Sequence, residues 1–236
     1  MNYKMKNILI GIAGKMQAGK DTLGGMINEL TGNKCEIKKF AGKLKQIVSI
    51  LTGISTEDLE KQEVKDRILG EEWSYIVNLK GERVKEAYSK DIAQINTKYS
   101  VRQLLQEVGT DAMRNVIHPN VWVNALFADY KPFIENYPNL TKSNGKDLIE
   151  GNNYSMGKAV LLNWIITDVR FPNEAEEVRK RGGKLIKIIR NNDTGNHPSE
   201  TSLDDYHNWD FIVPNVGTLK DLKYQAEYIA DILKIR

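Results

Sequence analysis

A short apolar run, Ile8-Leu9-Ile10-Gly11-Ile12-Ala13, leads straight into Gly14-Lys15-Met16-Gln17-Ala18-Gly19-Lys20, and this stretch constrains the fold more than any other. A strand that turns through Gly-x-x-x-x-Gly-Lys into a helix makes a cradle for phosphate, because successive backbone N–H groups point inward at the oxygens. Gly14 and Gly19 permit the close approach and the backbone angles that a Cβ would block. Lys20 then brings a mobile cation to the β- and γ-phosphates, and the helix adds its free N-terminal N–H groups and the positive end of its dipole. Leu23, Met26, Ile27 and Leu30 recur at i, i+3, i+4 and i+7, which is the buried stripe such a helix needs. Gly14, Lys15, Ala18, Gly19 and Lys20 are therefore expected to line a nucleotide site. One position departs from the pattern: the residue after the lysine, ordinarily a Ser or Thr whose hydroxyl meets magnesium, is Asp21, and Thr22 follows.

Downstream, 36–40 reads as a second strand and 41–51 as a helix that opens with Lys43 and Lys45. Those two lysines face a substrate phosphate or are solvated helix charges. The pattern weakens over 55–98, where 57–67 is charged and helical and 73–77 is locally apolar, so this region reads as an insertion outside the core. Order returns at Ser100, which with Gln103 forms a capping box for a helix buried through Val101, Leu104, Leu105 and Val108. Arg102 and Gln106, four residues apart, share another face that leads to an expected helix break at Gly109-Thr110. A guanidinium, an amide and a hydroxyl converge there on one ligand, or the face is an ordinary exposed one. Arg114 is expected on the next short helix and Trp122 on a further one, over 120–130.

A polar stretch over 135–157 carries no period. The apolar run 160–168 then ends in Asp168, as a buried parallel strand with a carboxylate at its C-terminal tip would read. A helix follows Arg170 with Pro172 in its first turn; 185–189 and 210–213 are strands, and Thr218 caps a terminal helix. Alternating strands and helices give a parallel α/β sheet, whose right-handed crossovers put residues 14–20 and Asp168-Val169-Arg170 along one edge. Arg190, with the loop 191–205, is placed where it contacts adenine or serves as a lid, or merely connects.

With 236 residues and 41% hydrophobic content the chain can bury a sizeable core. The net charge of +3 suits an anionic small substrate and falls short of the basic stripe a nucleic-acid polymer requires. The single Cys35 excludes an internal disulfide and suits a reducing compartment. No apolar run reaches the ~20 residues of a membrane span, so a cytoplasmic protein is expected.

Four stretches together resemble the bacteriophage deoxynucleoside monophosphate kinases: residues 14–22, Phe40-Ala41-Gly42-Lys43-Leu44-Lys45, residues 100–111 with their Gly-Thr-Asp ending, and Asp168-Val169-Arg170-Phe171-Pro172-Asn173-Glu174. Trp122 and the His197-Pro198-Ser199-Glu200 loop extend the similarity, while 55–98 and 135–157 match poorly. The Gly-Lys-Asp-Thr ending is itself characteristic of that family. The resemblance implies an α/β P-loop kinase fold, a parallel sheet flanked by helices, with core segments 1–40 and 155–236 and an inserted, mainly helical acceptor-binding region at 41–154. It implies transfer of the ATP γ-phosphoryl group to a deoxynucleoside monophosphate with Mg2+, in the host cytoplasm if phage-encoded, and it allows a homodimer. Lys20, Arg102, Asp168 and Arg170 would be catalytic; Lys20, Asp21, Thr22 and Arg190 would serve ATP. Lys43, Arg102, Gln106, Gly109, Thr110, Trp122, Arg170 and Glu174 would hold the acceptor. Thr22 or Asp21 would meet the metal, directly or through water, and Asp168 would either do the same or orient the acceptor phosphate through Arg170. The rivals are another small-molecule kinase, similar to dephospho-coenzyme-A kinase, and an ATP-driven switch or motor component; the latter would want a second acid after Asp168, where Val169-Arg170 stand.

Overall fold

The computed structural model describes residues 8–77, 83–84, 95–130, 133–134, 159–160, 163–190 and 201–236. They fall into two compact units, residues 1–40 with 123–236, and residues 41–122. The boundary expected at 154 lies outside the described residues.

The first unit is built on five parallel strands: β1 (Leu9–Ala13), β2 (Glu36–Lys38), β8 (Trp164–Val169), β9 (Lys184–Ile189) and β10 (Phe211–Pro214), in the order β10-β9-β1-β8-β2. β1 is central, pairing Leu9 with Trp164 on one side and Ile10 with Lys184 on the other. A strand buried on both faces reads as unbroken apolar sequence, and all five β1 residues are buried. Helices α1 (Lys20–Leu30), α6 (Pro172–Lys180) and α7 (Leu219–Leu233) belong to the same unit. Ile10, Ile12, Leu23, Ile27, Ile165, Ile186, Leu222 and Ile229 form one continuous core. α7 begins where expected: Thr218 accepts from the Asp221 N–H while the Asp221 carboxylate accepts from Thr218 N–H.

The apolar run before Asp168 is shorter as a strand than its sequence suggests. Ala159–Val160 (β7) pairs instead with Phe133–Ile134 (β6), and β8 starts at Trp164. Asn163 sets that start: its side-chain oxygen accepts from Ile8 N–H at 3.0 Å, and its carbonyl from Glu36 N–H at 2.8 Å. The Trp164 ring stacks on Phe127 and meets Tyr130 edge-on, which is why residues beyond 122 belong with the sheet. Buried Cys35 packs into the same core, where desolvation raises its thiol pKa.

In the second unit lie α2 (Ala41–Thr52), α3 (Gln62–Lys65), α4 (Val101–Gln106), the short sheet β4-β3-β5 (Arg83–Val84, Tyr75–Val77, Ile95–Thr97) and the start of α5 (Val121–Phe127). Its core is Val48, Ile54, Leu59, Tyr99, Val101 and Leu104. Leu59 is fully buried, so 57–67 is not the coreless insertion its charge suggested. The expected break at Gly109 is also absent. α4 runs on into the π-helical segment Glu107–Ile117, which carries Arg114 and closes with His118 N–H on the Met113 carbonyl at 3.0 Å. Gly109 here serves packing: a Cβ on it would stand 2.8 Å from Leu44 Cδ2. Among the described residues no helix is long and apolar enough to cross a membrane.

Candidate functional site

The loop after β1 forms the expected cradle at the C-terminal edge of the sheet. Gly14 is required by crowding, since a Cβ there would lie 2.5 Å from the Ile188 carbonyl oxygen, and Gly19 takes φ 100°, in the left-handed region. Gln17 also takes a positive φ of 59°, a conformation few side chains adopt. The Lys20 ammonium folds back over the loop, donating to the carbonyls of Gly14 at 2.6 Å and Lys15 at 2.8 Å. Two side chains brace the loop from the β9–β10 side: Asn215 Nδ2 donates to the Ala18 carbonyl at 2.9 Å, and Arg190 Nη1 reaches the Gln17 carbonyl at 3.5 Å. Ala18 is buried under them and Lys15 is exposed. Asn215 carries no signal in the sequence, because it stands 197 residues from its partner.

Asp21 and Thr22 occupy the first turn of α1, both exposed. Both Asp21 oxygens are engaged: Oδ1 accepts from the Thr167 hydroxyl at 2.5 Å and Oδ2 from the Lys39 ammonium at 3.2 Å. Burial acts to raise the Asp21 pKa, but the Thr167 hydrogen bond and the Lys39 and Lys20 charges outweigh it, holding the carboxyl below its usual range.

The tip of β8 lies beside the cradle, since Ala13 pairs with Val169. Asp168 is buried there, and its Oδ1 accepts from Phe40 N–H at 2.7 Å. Arg170 is half-buried, and its N–H donates to Glu174 Oε2 at 2.8 Å. Phe171 N–H reaches the same oxygen at 3.2 Å. Glu174, 2% exposed, thus caps the first turn of α6 and fixes the backbone that presents Arg170. The strand tips therefore bring together Gly14, Lys15, Ala18, Gly19, Lys20, Asp21, Thr22, Asp168, Arg170, Glu174 and Arg190, as the sheet topology requires.

The remaining expected residues lie in the second unit. Arg102 donates through Nε at 3.0 Å and Nη2 at 2.7 Å to Asp66 Oδ1, and this guanidinium holds the Asp66 carboxyl below its ordinary pKa. Gln106 and Thr110 are half-buried at the passage from α4 into the π-helical segment. Trp122 is buried and its indole N–H donates to the Gly109 carbonyl at 2.8 Å, tying Gly109 to α5. Lys43 is half-buried, whereas Lys45 is buried and ion-paired with Glu60, so it is neither a solvated charge nor a phosphate ligand in this form.

For a magnesium ion, hard oxygens beside bound phosphates are the fitting donors, and one or two protein groups suffice because phosphates and waters fill the rest. The Thr22 hydroxyl and the Asp21 carboxylate in the first turn of α1, and the Asp168 carboxylate at the tip of β8, are oxygens of that kind.

The model of the deoxynucleotide monophosphate kinase family matches residues 54–226. Three curated proteins are similar. A deoxynucleotide monophosphate kinase of Escherichia phage RB69 is 26% identical over 146 residues, 61% of this chain and 50% of that one, so the chain spans about half the length of that relative. A protein of Acanthamoeba polyphaga mimivirus, described as a deoxynucleotide monophosphate kinase by inference, is 26% identical over 92% of this chain and 93% of its own. A deoxynucleoside-5'-monophosphate kinase of Escherichia phage T5 is 20% identical over 96% of this chain and 97% of its own. With the family model covering most of the sequence and a phosphate cradle preceding it, the chain belongs to the deoxynucleotide monophosphate kinase family.

Proposed function

We propose that this chain transfers the terminal phosphoryl group of ATP to a deoxynucleoside monophosphate, releasing ADP and the deoxynucleoside diphosphate. The observation that carries the proposal is the convergence of the Lys20 cradle with Asp168 and Arg170 at one sheet edge, in a chain of this family. Phosphoryl transfer leaves the protein little covalent work, so positioning and charge stabilisation dominate. Lys20 and the loop N–H groups hold the β- and γ-phosphates. Arg102 and Arg170 grip phosphate oxygens in pairs of parallel bonds that a lysine would not reproduce. Gln106, Gly109, Thr110, Trp122 and Lys43 hold the acceptor nucleotide, and Glu174 keeps Arg170 in place. Thr22 and Asp168 would hold magnesium, which would supply positive charge to offset that of the phosphates. The partners are two nucleotides, not a nucleic-acid polymer or a membrane, and the setting is the cytoplasm of a host cell. The family match favours a deoxynucleotide acceptor over the acceptors of other small-molecule kinases and over a motor. Incubation with MgATP and each deoxynucleoside monophosphate in turn should yield diphosphate with at least one; acceptor-independent ATP hydrolysis and no diphosphate with any of them would refute the proposal.

A further inference from the structure

Lys39 belongs to no motif in the sequence, yet strand register places it at the phosphate site. Lys38 pairs with Ile166, so Lys39 stands level with Thr167 on the neighbouring parallel strand, and equivalent positions on such strands project to the same face. That face is the one α1 covers: a Cβ on Gly24 of α1 would stand 2.6 Å from Thr167 Cγ2. From this face the Thr167 hydroxyl and the Lys39 ammonium reach the two oxygens of Asp21, in the first turn of α1 and adjacent to Lys20. The Lys39 side chain is 24% exposed and that of Asp21 67%, so the Asp21 end of the pair lies open to solvent.

We propose that Lys39 is a second phosphate-binding cation of the site, and that Asp21 is its bracket: a positioning residue that keeps the ammonium beside the cradle, and not a metal ligand. This rests on the reading of the sheet edge as a polyphosphate site. A nucleoside triphosphate brings several negative charges to the cradle, more than the Lys20 ammonium neutralises. Both cations rest on protein oxygens, Lys20 on the Gly14 and Lys15 carbonyls and Lys39 on Asp21. Incoming phosphate offers each a stronger, charge-assisted acceptor. The departure from the usual hydroxyl after the loop lysine thereby has a physical reason. A carboxylate at 21 anchors a cation from the next strand, and the hydroxyl moves one residue on, to Thr22.

Calorimetry with AMP-PNP, without and with magnesium, tests this on the full chain. Lys39→Met should weaken metal-free AMP-PNP binding about tenfold, the loss of one charge-assisted contact, and Lys39→Arg should recover most of it. Asp21→Asn keeps an oxygen for Thr167 but drops the charge. It should weaken binding by a smaller factor and add nothing in a Lys39→Met background. Its ADP complex should bind Mn2+, followed by electron paramagnetic resonance, as the unsubstituted chain does. Wild-type affinity in Lys39→Met, or loss of Mn2+ affinity in Asp21→Asn with Lys39→Met unchanged, would overturn the proposal. AMP-PNP binding that depends on Lys39 in a chain that phosphorylates no deoxynucleotide would refute the proposed function and leave this assignment standing.

Discussion

Gly24→Ala should disturb the nucleotide site through packing alone. The added methyl would stand 2.6 Å from Thr167 Cγ2, 3.4 Å from Ile165 Cγ2 and 3.5 Å from Ile12 Cδ1. Carbon atoms prefer roughly 3.5–4.0 Å, so only the Thr167 contact is impossible, by about 1 Å. All three neighbours are at most 1% exposed, so either α1 retreats from β8 or Thr167 turns and lets go of Asp21. Overpacking of this kind costs about 1–3 kcal/mol, and alanine regains about 1 kcal/mol over glycine inside a helix. The net is a destabilisation of about 0–2 kcal/mol. Gly25 is the control, because nothing lies within 4 Å of a Cβ built there, and Gly25→Ala should keep the full helical gain of about 1 kcal/mol. Thr167→Ser is the rescue: it removes the clashing methyl while retaining the hydroxyl that bonds Asp21. Alone it should cost about 0.8 kcal/mol for the lost methyl; combined with Gly24→Ala it should relieve the clash, giving a favourable coupling between the two sites. Urea midpoints for the four variants, followed by circular dichroism, measure each value. Gly24→Ala stabilising as much as Gly25→Ala, or a double variant no better than the sum of its parts, would refute the packing argument.

Lys20→Ala should abolish transfer with an unchanged melting temperature, a loss on the order of 3–4 kcal/mol in transition-state stabilisation; near-normal turnover would remove the cradle from the mechanism. Arg102→Lys should mainly raise the deoxynucleotide KM, and Arg170→Lys should mainly lower kcat, since one guanidinium is assigned to the bound acceptor and the other to charge that develops in transfer; identical signatures in steady-state kinetics would show them misassigned. Asp210 accepts from Arg179, Lys184 and the Leu185 N–H. Burial works to raise its pKa, and these partners outweigh it and lower the pKa below 3.8. Its stabilisation is therefore complete above that value and lost only as pH falls through the lowered folded-state pKa. Asp210→Ala should cost roughly 1–3 kcal/mol at neutral pH, and acid-unfolding curves of the two chains should converge only at a pH below the ordinary carboxylate range, as the native carboxylate is protonated.

The cradle was legible because everything it needs is local: a strand, a loop and a helical stripe within one short stretch. α7 was legible for the same reason, its cap and its period both lying in consecutive residues. The π-helical turn at Glu107–Ile117 was not, since a widening of the ladder leaves the apolar stripe nearly intact and Gly109 reads as a stop until Leu44 is placed against it. Asn215, Thr167 and Lys39 gave no signal because strand register, not spacing, brings Asn215 to Ala18 and the other two to Asp21. Glu174 was expected at the acceptor, while its acceptance of the Arg170 and Phe171 N–H groups left no mark in the sequence.

The placement of β1 between β8 and β9 also dictates an order of events during synthesis. β1 leaves the ribosome well before β8, since the first residue bonded on that side, Asn163, lies 155 positions after Ile8. Until then an apolar strand with two unpaired edges is exposed, the kind of species that aggregates. Residues 41–122, whose core joins Val48 to Leu104, can close over far shorter loops and so can condense first. A nascent chain halted before residue 160 should therefore protect amides of the second core from exchange and leave those of Leu9–Ala13 open, and nucleotide binding should begin only after β8 and β9 have emerged to close around β1.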